Sequence, residues 1–127
     1  MGNIDNYAKD VQKEIDDSSI RFEKEKKVYG NGEVYFWEFS PEFYVKSIMI
    51  NGLSAKYKDK TIIIVENNGH YYEVSARRQD GKVNLVELLK RLTYGFIEVT
   101  SGGHFCAAGA TILPRDIDEF KERIRRL

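Results

Sequence analysis

Apolar residues at the start of the chain recur at the spacing of an amphipathic helix. They lie mostly three or four positions apart and comprise Ile4, Tyr7, Ala8, Val11 and Ile15. A stripe with this period predicts a helix with one buried face. The apolar face is thin and an isolated helix of this length is marginal in water, so the helix needs a packing partner. We expect it to end at residues 16–19 (DDSS), whose side chains compete with the backbone for hydrogen bonds.

Two segments with the pattern of strands follow. Ile20, Phe22 and Val28 are separated by charged residues, and the segment at 34–39 is almost entirely aromatic or β-branched. Residues 30–32 (GNG) tolerate the positive φ angles that a tight connection requires. The pattern therefore predicts a β-hairpin.

A helix and two further strands are predicted in the middle of the chain. Ser40, Pro41 and Glu42 form a helix start, with a capping hydroxyl, a first-turn proline and an acid near the positive end of the dipole. The buried stripe expected after it comprises Val45, Ile48, Met49 and Leu53. The apolar run at 61–65 predicts a central strand buried on both faces, and the turn at 67–69 leads into the strand HYYEVSARR.

Two helices and a short strand are predicted towards the C-terminus. Asn84 is placed to cap a helix that buries Leu85, Leu88, Leu89 and Leu92. A short strand precedes Pro114, and the last helix is expected to start at Asp116 with Glu119 three residues later. Its apolar face comprises Ile117, Phe120, Ile124 and Leu127. Alternating strands and helices predict an α/β fold, in which a single domain has a mixed β-sheet flanked by helices.

The composition indicates one compact domain and excludes a large net charge. The chain has 127 residues, and its 20 basic side chains balance 20 acidic ones. Any binding to nucleic acid must therefore come from a local patch. The single cysteine, Cys106, forms no intramolecular disulfide, and the N-terminus has no apolar run typical of a signal peptide. We expect a cytoplasmic protein.

A stretch of small residues surrounds one of the two histidines in the chain. Its sequence, SGGHFCAAGA, begins at Ser101 and places Gly102 and Gly103 directly before His104. Adjacent glycines let a ligand approach the backbone N–H groups, which form a concave anion site, and a helical turn starting there would add its dipole. A histidine donor beside such a loop favours phosphate or carboxylate binding. The alternative is that His104 makes a buried hydrogen bond and the small residues serve packing.

Two arginines end the strand HYYEVSARR. Because strand side chains alternate, Ser75 and Arg77 share one face and Arg78 points to the other. Arginines at a strand end are usually solvated, but the guanidinium group binds phosphate with a two-pronged geometry that lysine lacks.

Together, these two segments resemble the DHHA1 domain, the substrate-binding half of DHH-family phosphoesterases such as RecJ-like nucleases and oligoribonucleases. The family pattern is Ser-x-Arg-Ser, a helix, Gly-Gly-Gly-His-x-x-Ala-Ala-Gly, a strand and a closing helix. The matching residues are Ser75, Arg77, Gly102, Gly103, His104, Ala107, Ala108 and Gly109. Ser101 replaces the first glycine, and Arg78 stands where serine is usual. The resemblance covers roughly Val34 to the C-terminus, and the Ser-Ala-Arg strand favours the RecJ-like branch over the related alanyl-tRNA synthetase domain.

The resemblance implies a domain that binds the phosphate backbone of single-stranded nucleic acid or short oligonucleotides for a RecJ-like phosphoesterase or exonuclease. The binding residues it implies are Ser75, Arg77, Arg78, Ser101, Gly102, Gly103 and His104. Hydrolysis in the family uses clustered Asp and His ligands for Mn²⁺ or Mg²⁺, whereas this chain has 2 histidines and no such cluster in its sequence. We therefore expect no catalysis and no cofactor in this chain, with the metal held by a separate DHH domain. That domain or a second copy is the expected protein partner, and no membrane is expected. Residues 1–18 would be a linker-like helix and residues 19–127 the DHHA1-like domain.

Other interpretations of these residues stay open. A stand-alone interaction or regulatory domain fits the zero net charge, the aromatic run VYFWEF and the missing third glycine. An editing module for aminoacylated RNA would need zinc ligands, and a single cysteine with 2 histidines argues against such a site. Four aromatic residues could stack on bases or simply fill the core: Tyr71, Tyr72, Phe96 and Phe105. His70 is expected in an exposed turn without a role, and Cys106 is expected as a small buried core residue.

Overall fold

The computed structural model describes residues 2–39, 46–97 and 100–127. Within these ranges the elements are α1 (Gly2–Glu25), β1 (Lys27–Tyr29), β2 (Val34–Phe39), α2 (Lys46–Lys56), β3 (Thr61–Asn67), β4 (Tyr72–Arg77), α3 (Leu85–Leu92), β5 (Thr100–His104), β6 (Ala107–Ile112) and α4 (Pro114–Arg125). The predicted helix start at Ser40, Pro41 and Glu42 lies outside the described residues, as does Val45.

The described strands form one six-stranded sheet in the order β1-β2-β3-β4-β6-β5. β2 and β3 run parallel, with α2 in the connection between them, whereas all other neighbouring strands are antiparallel. The predicted α/β class with a mixed sheet is confirmed. The predicted hairpin around residues 30–32 is also confirmed, because β1 pairs antiparallel with β2. The predicted turn at 67–69 likewise joins an antiparallel pair, β3 and β4.

Helices cover both faces of this sheet. Ile62 and Ile64 of β3 belong to the apolar cluster covered by α1 and α2, and Ile63 and Val65 belong to the cluster covered by α3 and α4. All four side chains are fully buried, so β3 is the central strand that its apolar run predicts. Asn84 caps α3 as expected, since its side chain accepts a hydrogen bond from the backbone N–H of Glu87.

The N-terminal helix is longer than its sequence predicts. α1 spans 24 residues and continues through residues 16–19, where the sequence indicates an end. Ser18 is fully buried and its hydroxyl lies 3.3 Å from a carboxylate oxygen of Glu14, four residues earlier. The predicted strand positions of Ile20 and Phe22 are wrong, since both residues are helical. Ile20 is exposed, whereas Phe22 is fully buried against the sheet. Tertiary packing of this second half therefore outweighs weak local helix propensity. The helix passes through the domain boundary drawn at residue 18, which stays a prediction.

Three other predicted positions are wrong in detail. α4 begins at Pro114, which occupies the first turn, rather than at Asp116. Proline is favoured there because its missing N–H would have no partner within the helix. Ile48 and Leu127 were expected in apolar stripes but are 58% and 39% exposed.

Candidate anion-binding site

The glycine-histidine stretch forms a β-hairpin rather than the predicted loop. β5 and β6 pair antiparallel, with His104 opposite Ala107 and Gly102 opposite Gly109. The chain reverses at Phe105 and Cys106, so no helical turn starts at this point and the predicted helix dipole is absent from it. Because β5 is the last strand in the order of the described sheet, part of its backbone N–H groups point away from β6.

Backbone hydrogen bonds fix the tip of this hairpin. The N–H of Leu85, at the start of α3, donates to the carbonyl of Phe105 at 2.9 Å. The N–H of Arg78 donates to the carbonyl of Cys106 at 3.1 Å. The loop after β4 therefore holds the tip in place next to the end of β4.

The two glycines of the motif have different roles in the hairpin. Gly103 has a φ of +132°, and a Cβ built there would lie 2.5 Å from the carbonyl oxygen of Ala107 and 2.6 Å from the Cα of Ala108. A side chain at this position is excluded by both the φ angle and the close approach of β6. Gly102 is exposed, and a Cβ built there would meet no atom within 4 Å. Gly103 is thus required by the fold, whereas Gly102 leaves open space above the sheet.

Strand register places the other motif residues on one face of the sheet. Arg77 pairs with Ala107, which pairs with His104, and Ser75 pairs with Gly109, which pairs with Gly102. Paired residues point to the same side, and neighbouring strands lie about 4.8 Å apart. We call this set the glycine face: Ser75, Arg77, Gly102, His104, Ala107 and Gly109. It carries a guanidinium and an imidazole on Cα atoms about 10 Å apart, two strand spacings, over a floor with almost no side chains.

The Arg77 side chain is held at the border of the glycine face by two hydrogen bonds. Its Nε donates to Oδ1 of Asn51 on α2 at 3.1 Å, and its Nη1 donates to the carbonyl of Ala76 at 2.8 Å. Partial burial lowers the pKa of its guanidinium from the ordinary value. Asn51 was not identified from the sequence, because the contact between α2 and the end of β4 depends on tertiary packing alone.

Arg78 has different surroundings from its neighbour. Its side chain is only 4% exposed and forms two hydrogen bonds with Asp80, from Nε at 2.9 Å and from Nη2 at 3.2 Å. Its Nη1 donates to Thr61 at 3.2 Å and to a carboxylate oxygen of Glu33 at 3.3 Å. The hydrogen bonds to Asp80 raise the pKa of Arg78, more than burial lowers it. Arg78 therefore connects the turn before β2, the start of β3 and the loop after β4, and it does not lie on the glycine face.

Comparison with a protein-family model identifies the family of this chain. The model of the DHHA1 domain matches residues 34–127, which include both segments of the glycine face. The chain belongs to the DHHA1 domain family. Comparison with curated protein sequences finds no match.

Solved structures with the same fold include RecJ, a phosphodiesterase and a synthetase domain. RecJ from Thermus thermophilus, in complex with Mg²⁺, is 14% identical with a TM-score of 0.72 over 98% of this chain and 19% of its own. PggH from Vibrio cholerae, a pGpG-specific phosphodiesterase, is 16% identical with a TM-score of 0.65 over 99% of this chain and 42% of its own. The C-Ala domain of Aquifex aeolicus alanyl-tRNA synthetase is 14% identical with a TM-score of 0.59 over 80% of this chain and 96% of its own. The chain therefore spans less than half the length of RecJ and of PggH.

The remaining sequence-predicted residues of this DHHA1 domain lie at the edges of the site or outside it. Ser101 is paired with Ala110 through its backbone, and its side chain lies outside the described residues. Cys106 is half-buried in the hairpin turn, so its predicted place in the core is wrong. His70 is exposed in the turn between β3 and β4, as predicted. Phe105, at the hairpin tip, is 47% exposed, while Tyr71, Tyr72 and Phe96 are half-buried.

Neither a metal cluster nor a membrane span is found in the part of the DHHA1 domain that the structure describes. The described residues contain no group of three or more His, Cys, Asp or Glu side chains placed to hold a metal ion. None of the described helices is both long and apolar enough to cross a membrane. The aromatic run of β2 lies largely in the core, where Phe36, Trp37 and Phe39 are buried, and so does not provide the exposed surface that an interaction domain would use.

Proposed function

We propose that this DHHA1 domain binds the phosphate backbone of a short single-stranded oligonucleotide on the glycine face. The observation that supports the proposal is the register of β4, β6 and β5, which brings Arg77 and His104 to the same face. Between them lie glycine and alanine residues, so a phosphate can approach the sheet without meeting a long side chain.

Each group on the glycine face has a defined part in this proposal. Arg77 supplies a planar guanidinium suited to phosphate oxygens, and its outer nitrogen, Nη2, donates to the ligand while Nε and Nη1 hold the group in place. His104 donates from the opposite rim, and Ser75 supplies a hydroxyl from the floor. Gly102 contributes free space and the backbone of an edge strand. Arg78 has no part in ligand contact here, because Asp80, Glu33 and Thr61 already engage its donors.

Catalysis is assigned to a different domain in this proposal. Phosphodiester hydrolysis by a two-metal mechanism needs several carboxylate and histidine ligands converging on one place. We assign the Mn²⁺ or Mg²⁺ site to a separate DHH domain, and we assign to this chain the positioning of the nucleic acid. The two domains together would form an exonuclease or phosphodiesterase.

Salt dependence of binding tests the proposal. Fluorescence anisotropy would measure the affinity of the chain for a labelled short oligothymidylate and for labelled pGpG at several salt concentrations. Arg77 and His104 would neutralise at most two phosphates, so the slope of log K against log salt should be about −0.7 to −1.4 for a single strand. Absence of binding at low salt would contradict the proposal and favour an interaction or regulatory domain.

A further inference from the structure

Asn51 lies on α2 at the border of the glycine face. Its side chain is exposed, and it reaches Arg77 from a helix, whereas all the other residues of the site come from strands. The contact is the 3.1 Å hydrogen bond from Nε of Arg77 to Oδ1 of Asn51. Because a guanidinium nitrogen only donates, the oxygen of the amide must face Arg77, and this fixes the orientation of the amide.

The nitrogen of the same amide is therefore available for a ligand. Nδ2 carries two N–H donors, and among the described residues the side chain of Asn51 makes no hydrogen bond other than the one that Oδ1 accepts from Arg77. Two donor groups, the outer guanidinium nitrogen of Arg77 and Nδ2 of Asn51, thus belong to one hydrogen-bonded pair at the border of the glycine face.

We propose that Asn51 is a third ligand-contacting residue, which donates from Nδ2 to the same phosphate that Arg77 binds. The inference rests on the proposed function and adds a residue that the family motif does not contain. An aspartate at this position would hold Arg77 more firmly through its charge, but it would compete with the phosphate for the guanidinium. A neutral amide holds Arg77 and leaves its charge for the ligand.

Replacement of Asn51 and of its neighbour gives a matched test. Asn51→Ala removes the Nδ2 donor together with the Oδ1 acceptor that holds Arg77. Asn51→Asp keeps an acceptor for Arg77 and replaces the donor with a negative charge. Gly52→Asp is the control, because it adds the same charge one position along α2, where a Cβ meets no atom within 4 Å. Gly52 lines the groove between α1 and α2 instead of the glycine face. Both positions are exposed, so all three variants should melt close to the wild type.

The readout is affinity for the labelled oligothymidylate at low salt, with Arg77→Ala and His104→Ala titrated alongside. We expect Asn51→Ala to bind about tenfold more weakly, which is the size expected for one hydrogen bond to a charged group. Asn51→Asp should lose about tenfold more through repulsion at short range, and this difference should shrink at high salt. Gly52→Asp should change affinity by less than about threefold.

The outcomes separate this inference from the proposed function. If Arg77→Ala and His104→Ala weaken binding but Asn51→Ala binds like the wild type, the role of Asn51 is refuted and the proposed function stands. If Gly52→Asp loses as much affinity as Asn51→Asp, the effect is general repulsion and the inference is also refuted. If the wild-type chain does not bind, or if none of the variants changes binding, both are wrong.

Discussion

The side chains of Arg77 and Arg78 are adjacent in the sequence but have unrelated surroundings. Arg77 borders the glycine face and contacts only Asn51 and a backbone carbonyl among the described residues. Arg78 is buried and connects Asp80, Glu33 and Thr61. Alternation along a strand predicts that the two point to opposite sides. The partners of Arg78 come from distant segments, so its structural role was not foreseeable.

Alanine substitution should separate the two arginines by stability. Arg78→Ala should lower the free energy of unfolding by about 1–3 kcal/mol, since it removes a buried guanidinium whose hydrogen bonds join three segments of the chain. Arg77→Ala should cost less than about 1 kcal/mol. Thermal melting of both variants checks the prediction, and equal losses of stability would contradict it.

Gly102 and Gly103 should also respond differently to substitution. Gly103→Ala should lower the free energy of unfolding by about 1–3 kcal/mol, because its φ is +132° and β6 occupies the space of a Cβ. Gly102→Val should leave the melting temperature nearly unchanged, because a Cβ there meets no atom, but it should weaken oligonucleotide binding by filling the ligand space. Melting curves and titrations of both variants give the measurement, and a Gly102→Val variant that binds normally would oppose the assigned role of this residue.

At the scale of elements, α1 is attached to the domain through its second half. Phe22 is fully buried, Trp37 Nε1 donates to Glu25 at 3.0 Å, and the Tyr57 hydroxyl lies 2.6 and 2.8 Å from the two carboxylate oxygens of Glu23. The last of these contacts lowers the pKa of Glu23 and raises the pKa of Tyr57 to about 12. The sequence predicts the helix but not its length, because helix propensity at residues 16–19 gives no information on the tertiary contacts that Phe22, Glu23 and Glu25 make further along the helix.

Tyr57→Phe should loosen the end of α1. The stabilisation that depends on ionised Glu23 is present above the ordinary carboxylate pKa and is lost as pH falls through the lowered pKa of Glu23. The stabilisation that depends on protonated Tyr57 is lost as pH rises towards the raised pKa of Tyr57, about 12. At neutral pH the variant should exchange its amide hydrogens over residues 18–25 a few-fold faster, since an exposed pair contributes less than about 1 kcal/mol. Hydrogen exchange at neutral and acidic pH checks this, and a difference that persists unchanged at acidic pH would contradict it.

At the scale of the whole molecule, the sequence predicted the burial pattern within single elements better than it predicted the contacts between elements. The apolar run of β3 and the leucines of α3 predict their burial on local periodicity alone. The stretch around His104 was expected to be a loop because glycines favour turns, but pairing with β4 through β6 makes it an edge hairpin. The position of Asn51 beside Arg77 depends on how α2 packs on the sheet, which no local pattern encodes.

The isolated chain should show no metal-dependent phosphodiesterase activity. The proposal places the ligands for Mn²⁺ or Mg²⁺ in a separate DHH domain, so the chain alone would bind the oligonucleotide without cleaving it. The assay is incubation of a labelled oligonucleotide with repurified chain and Mn²⁺. Cleavage that co-purifies with the chain would contradict this division of roles.

The central claim is that Arg77 and His104 bind one oligonucleotide from the two sides of the glycine face. The measurement that tests it most directly is the affinity of Arg77→Ala and His104→Ala for a labelled single strand at low salt, with melting curves of the same samples. Each substitution should weaken binding by about 1–3 kcal/mol, the range for charge-assisted hydrogen bonds, while the melting temperatures stay close to that of the wild type. Unchanged affinity in both variants, or affinity lost only together with folding, would contradict the claim.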